Sequence, residues 1–156
     1  MHVTVLAVGT RCPGWVREAY DDYARRLKTR LPVRLAEIEP GKRGKGISPG
    51  RAMESEARRI LASVRDDTHL VMLDERGKER TSVALSQWLG ERLRDGRELT
   101  FAIGGPDGFA PGVRERAQES WSLSRLTLPH ALVRVLLIEQ IYRAVTLLDG
   151  HPYHRE

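Results

Sequence analysis

Cysteine is almost absent: Cys12 is the only one in 156 residues. It has no partner for an internal disulfide, and no Cys/His cluster has the spacing of a zinc site. Cys12 reads as a structural or incidental thiol, because a nucleophile needs a positioned base and no local sign of one exists. A long uncharged apolar run is also missing. The most apolar stretch, Leu132–Leu148, carries Arg134, Glu139 and Arg143. A membrane span needs about 20 largely uncharged residues, so this stretch is expected to be a buried helix, and no membrane association is expected. The start, Met1-His2-Val3-Thr4-Val5-Leu6, has neither a basic n-region nor a long h-region. No secretory signal is therefore expected, and the cytoplasm is the default location. Repeats, low-complexity tracts and the G-x-G-x-x-G dinucleotide fingerprint are missing too.

What is present is an ordinary globular composition, 40% hydrophobic and 30% charged. The length suits one domain, 1–156, with a core that needs no metal or disulfide. The net charge of +5 favours polyanionic partners through phosphate contacts.

Hydrophobic spacing predicts alternating strands and helices. His2–Val8 reads as a strand ended by Gly9-Thr10. Pro13-Gly14 opens a helix with Trp15, Ala19, Tyr20, Tyr23, Ala24 and Leu27 along one face, and Pro32 breaks it. Val33–Ile38 is a second strand. Ser48-Pro49 starts a second helix, a capping residue followed by proline at the first position. Leu70–Leu73 is a short strand and Asp74–Arg80 a polar loop. Ser82 is expected to cap a third helix that ends at Asp95-Gly96. Leu99–Ile103 is continuously apolar, as a strand buried on both faces should be. A short helix near Pro111–Glu119, a fifth strand around Trp121–Ser124 and the helix Ala131–Leu148 follow. The alternation predicts an α/β fold, a mostly parallel sheet with helices on both faces.

Four segments have residue types that suit chemistry. Gly104-Gly105-Pro106-Asp107-Gly108 follows a buried strand, at the sheet edge where open α/β sheets bind ligands. Its glycines admit close approach to the backbone, or make a tight turn and nothing more. Leu123–His130 follows the last strand. Its amides, Ser124 and Thr127 could hold an adenine edge while leucines cover its face; alternatively it is a strand end with buried leucines. Gly41-Lys42-Arg43-Gly44-Lys45 places three cations on a glycine-rich loop, suited to phosphate or simply to water. His151-Pro152-Tyr153-His154-Arg155-Glu156 concentrates groups that stack on bases and bind phosphate, in a position where chains usually fray.

Taken together, Val5–Thr10, Gly41–Lys45, Leu73-Asp74, Ile103–Gly108, Trp121–Ser124, Leu126–His130 and the terminal His151–Glu156 string resemble the RlmH family. These are ribosomal RNA pseudouridine N3-methyltransferases of the SPOUT superfamily. The likeness spans the whole chain. It implies a deep C-terminal trefoil knot, an exception to ordinary connection rules. It implies S-adenosyl-L-methionine as cofactor, held by Leu73, Gly104, Gly105, Leu123, Ser124, Arg125, Leu126, Thr127 and Leu128. It also implies a homodimer acting on a pseudouridine of 23S ribosomal RNA in the assembled ribosome, without a metal. Lys42, Arg43, Lys45, Tyr153 and Arg155 are then the RNA contacts. Methylation at N3 requires loss of an imide proton, for which His130 and His154 are candidates and Glu139 a weaker one. The rival reading is a non-enzymatic RNA- or ribosome-binding α/β domain. It accounts for the charge and the basic loop but leaves the glycine- and leucine-lined strand ends without a role. A small-molecule nucleotide enzyme would leave the basic loop and the tail idle.

Overall fold

The computed structural model describes residues 1–155; Glu156, the last residue of the terminal string, lies outside the described residues. Five parallel strands form one sheet in the order β2-β1-β4-β3-β5. They are β1 (Val3–Val8), β2 (Val33–Ile38), β3 (His69–Glu79), β4 (Leu99–Ile103) and β5 (Glu119–Ser122). The helices are α1 (Gly14–Leu27), α2 (Pro49–Ala62), α3 (Ser82–Asp95), α4 (Pro111–Arg116) and α5 (His130–Asp149), with a 3-10 turn at Pro152–Arg155. No helix among the described residues is long and apolar enough to cross a membrane.

Strand side chains alternate between faces, and two cores result. Val3, Val5 and Ala7 join Val71, Phe101 and Trp121 under α1, α3 and α5. Leu6 and Val8 join Met72, Ala102 and Ile60 under α2 and α4. The parallel, doubly covered sheet expected from sequence is the one observed.

Local chemistry sets most boundaries. Ser48 Oγ accepts the Arg51 N–H at 3.3 Å, with Pro49 at the first helical position. Thr81, not Ser82, caps α3, accepting the Ala84 N–H at 3.0 Å. Ser82 instead donates to Gln140 Oε1 at 2.6 Å, tying α3 to α5. Gly96 closes α3 in the left-handed conformation at φ 75°.

Three expectations need correction. Trp15 lies in the first turn of α1 and is 58% exposed, while Val16 takes the buried position. The β5 strand starts two residues early and ends at Ser122. The expected polar loop Asp74–Arg80 is largely strand, because β3 runs on to Glu79. Its pairing with β5 shifts register: Leu73 and Lys78 both face Trp121, so four residues bulge out between them. Gly77 makes the return possible, since a Cβ there would lie 2.5 Å from the Trp121 carbonyl carbon. Periodicity could not reveal this strand, because its hydrogen bonds are made by polar residues that face water.

Glu119, at the start of β5, is a hub that its sequence context does not announce. Its carboxylate accepts from His69 Nε2 (2.7 Å), Arg80 Nη2 (2.8 Å), Trp88 Nε1 (2.8 Å) and Trp121 Nε1 (3.2 Å). Burial pushes its pKa up, but these donors outweigh burial and hold it below the ordinary glutamate value. Glu119→Ala would strand four donors, and we expect a loss of about 2–3 kcal/mol. Urea unfolding checks this; a loss below about 1 kcal/mol would show that water replaces the carboxylate.

Candidate active site

The carboxyl ends of β3, β4 and β5 open onto a cavity of about 560 Å³, within the range of small-molecule sites. Leu73, the last β3 residue before its bulge, lies against it. Gly104 and Gly105 follow β4, and Leu123, Ser124, Leu126, Thr127 and Leu128 follow β5; all of these line the cavity. Two segments separated in sequence are thus brought together because β3 lies between their strands. Arg125 does not line the cavity: its guanidinium points to Glu79 Oε1 at 2.8 Å.

The turn after β4 is closed by the Gly108 N–H, which donates to the Gly105 carbonyl at 3.1 Å. Gly108 supplies the positive φ, 82°, that the turn needs. Gly104 and Gly105 are required for room instead. A Cβ on Gly104 would lie 3.2 Å from the Phe109 ring, and one on Gly105 would lie 3.1 Å from Glu56 Oε1 and 3.2 Å from Val8 Cγ1. The β5–α5 loop is held by Ser122 Oγ, which donates to the Ser124 carbonyl at 2.7 Å, and by Ser124 Oγ, which accepts the Leu126 N–H at 2.9 Å. Leu126 is 74% exposed yet lines the cavity, so it stands at the mouth as an apolar flap.

His130 is the first residue of α5 and makes no capping bond; Pro129 occupies the cap. The imidazole lines the cavity, and its buried Nε2 has no hydrogen-bond partner. That atom lies 3.1 Å from where a Cβ on Gly9 would sit. Beside it, Arg134 is 1% exposed and donates to Glu37 Oε2 and to the Gly9 carbonyl, both at 2.8 Å. Burial, and then the Arg134 charge, hold the His130 pKa below its ordinary 6.5. Asp74, at the cavity wall, pairs with Arg114 and accepts the Arg76 N–H at 2.9 Å. Burial pushes its pKa up, but these partners hold it below the usual carboxylate value. Nothing in the spacing marked Arg134 or Arg114, because their partners come from remote elements.

The basic loop divides. Lys42 and Lys45 are exposed, with no ion pair among the described residues. Arg43 is engaged: Nη1 lies 2.8 Å from Glu56 Oε2, and Nε lies 2.9 Å from Asp107 Oδ2. Three solvated phosphate ligands were expected, and the structure leaves two.

The tail is not frayed. Tyr153 packs edge-on against Tyr142 at 4.6 Å and Tyr23 at 6.4 Å between ring centroids. Its hydroxyl lies 3.0 Å from the Tyr23 hydroxyl and 3.2 Å from Glu139 Oε1. Burial, and then the Tyr23 hydroxyl, push its pKa well above the ordinary tyrosine value. Glu139 is also held by Arg143 at 2.7 Å, so it is a structural partner here. His154 has a buried Nδ1 without a partner, and Arg155 is exposed. None of the described tail residues lines the cavity of its own chain.

Comparison with known proteins fits this architecture. A family model described as "Predicted SPOUT methyltransferase" matches residues 1–154. The ribosomal RNA large subunit methyltransferase H of Methylococcus capsulatus is 48% identical over 155 residues, covering 99% of this chain and 100% of that protein. Its namesake from Alkalilimnicola ehrlichii is 50% identical, covering 99% of each chain. That of Chromobacterium violaceum is 47% identical over 156 residues, with both chains fully covered. With the family's model matched almost from end to end, and about half of all positions shared with these relatives, the chain belongs to the SPOUT methyltransferase family, among the large subunit methyltransferase H proteins.

Proposed function

We propose that this chain, as one methyltransferase domain, methylates N3 of a pseudouridine in large-subunit ribosomal RNA of the assembled ribosome. S-adenosyl-L-methionine is the proposed methyl donor, and the protein acts as a homodimer in the cytoplasm, where ribosomes are found. The observation that carries the reading is the cavity shared by Gly104–Gly108 and by Leu123, Ser124 and Leu126–Leu128, with His130 among its lining residues. The alternative of a non-enzymatic binding domain gives the glycine turn and His130 at this cavity no role.

The residues present fit the donor. Leu73, Leu123 and Leu128 offer apolar surface for an adenine, and Gly104 and Gly105 present backbone without side chains to the same cavity. When bound, S-adenosylmethionine supplies a methyl group on a positively charged sulfur. The chain must hold the target imide close to that site and exclude water, and positioning supplies much of such a barrier. Neutral His130, whose ring lines the cavity, can accept the imide proton, so the nitrogen attacks as an anion. Titration calorimetry with S-adenosylmethionine and transfer of labelled methyl to unmodified ribosomes test the reading; absence of transfer would overturn it.

We also infer the homodimer and a knotted C-terminus. Half-buried Leu132, Leu136 and Leu147 on α5 support an isologous contact, being more apolar surface than the sheet covers. For the knot, the support is connectivity: β5 lies at one edge of the sheet, whereas α5 returns to β1, where Arg134 binds Gly9.

The acid limb of kcat/KM is expected below pH 6.5, because His130 in the free protein is held below its ordinary value. The sign for stability is the same. As pH falls through 6.5 the unfolded chain takes up the proton first, so native stability declines below that point and is complete above it. His130→Ala should remove the acid limb and lower kcat about 100-fold. A wild-type limb above pH 6.5, or one that survives the substitution, would exclude His130 as the base.

Lys42 and Lys45 are proposed to contact phosphates. Replacing both with alanine should weaken ribosome binding and reduce the salt slope of log affinity by about 0.7–0.9 per lysine. An unmoved slope would make the loop a solvated surface.

A further inference from the structure

The basic loop and the turn after β4 share one buried acid. Glu56, on α2, is 2% exposed. Its Oε2 accepts the Gly41 N–H at 2.8 Å and Arg43 Nη1 at 2.8 Å, and Oε1 lies 3.3 Å from Arg43 Nη2. Arg43 Nη1 also donates to the Gly41 carbonyl at 3.1 Å. The remaining edge of the guanidinium, Nε, donates to Asp107, 64 residues away and in the cavity turn. The loop cannot drift from α2, since a Cβ on Gly41 would lie 2.3 Å from the Ala52 carbonyl oxygen. On its other side Glu56 is the nearest neighbour of the space beside Gly105.

We propose that Arg43 is a positioning residue: with Glu56 it forms a strut that holds the Gly104–Gly108 turn in the shape the methyl donor requires. The proposal rests on the reading of the cavity as the donor site. A buried carboxylate demands a charged partner, so Glu56 draws the guanidinium inward. Once there, the flat fork has one edge left for Asp107, and a lysine could not serve three acceptors in that plane. One of the three cations expected to bind phosphate thus acts on the cofactor side of the site, while Lys42 and Lys45 beside it face water.

The test is a double-variant cycle on the full-length protein, read by calorimetry with S-adenosylmethionine. Arg43→Lys and Asp107→Asn should each raise Kd about tenfold, and together no more than the larger single effect, because both cut one strut. For Arg43→Lys, at a residue that does not line the cavity, KM for the donor should rise while kcat at saturating donor stays within about twofold, a split that general destabilisation would not give. Wild-type affinity in Arg43→Lys, or single effects that multiply, would overturn the strut. Should Arg43→Lys fail to fold, Glu56→Gln takes its place in the cycle with the same expected outcomes; it keeps the side-chain shape and does not line the cavity. Wild-type protein that binds no S-adenosylmethionine would instead overturn the reading of the cavity, a separate result.

Discussion

Gly105→Val should abolish binding of S-adenosylmethionine, raising Kd by more than about 100-fold, while the variant still folds. The cause is space. The position does not have a positive φ, so the backbone tolerates a side chain. A Cβ there already lies 3.1 Å from Glu56 Oε1 and 3.2 Å from Val8 Cγ1, so the two methyls of valine must push the Gly104–Gly108 turn out of place in the cavity wall. The buried Glu56 cannot yield, being held by Gly41 and Arg43. Clashes of this kind cost about 1–3 kcal/mol when the surroundings relax, and more when a ligand must also be displaced. Gly105→Ala is expected to fall between the two, since its single carbon needs a shift of only tenths of an ångström. Calorimetry on both variants, with circular dichroism to show that they fold, checks the order. Unchanged affinity in folded Gly105→Val would remove this residue from the donor site.

Removal of residues 151–156 should lower methyl transfer by at least about 100-fold, the combined worth of a stacking contact and a charged phosphate contact. Tyr153, His154 and Arg155 do not line the cavity of their own chain, so their proposed role falls on the partner's. Mixed dimers separate the cases. One chain carries Gly105→Val and the other lacks the tail. If the sites are shared, one intact tail meets one intact cavity and about half of the activity remains; if each chain is self-contained, the mixed dimer is inactive. From sequence alone the tail should add almost nothing to stability. The structure changes that expectation. Tyr153 is wedged against Tyr142 and Tyr23, with Arg26 5.3 Å from the Tyr23 ring centroid and Arg143 5.2 Å from that of Tyr153. Each aromatic pair contributes about 0.5–1.5 kcal/mol, so truncation should also lower the melting temperature by several degrees. A truncated homodimer that methylates ribosomes at the normal rate would end the case for the tail.

Much of this protein is written locally. Ser48-Pro49 caps α2, Gly96 ends α3, and the unbroken apolar run Leu99–Ile103 is the central strand, because caps, turns and burial on both faces act within a few residues. The family resemblance pointed to Leu73, Gly104, Gly105 and Leu123–Leu128, and all but Arg125 line one cavity. What sequence could not supply is the partner of each charge. Arg43 looked like a phosphate ligand until Glu56 and Asp107 claimed it, and Tyr153 looked free until it met Tyr142. Glu119, among several glutamates, became a hub only when β3, α3 and β5 converged on it. Backbone propensity and hydrophobic periodicity are short-range, so the sequence by itself determined the elements and the edge at which the site lies. Ion pairs and buried hydrogen bonds depend on which distant groups are desolvated together, and only the tertiary structure decided those.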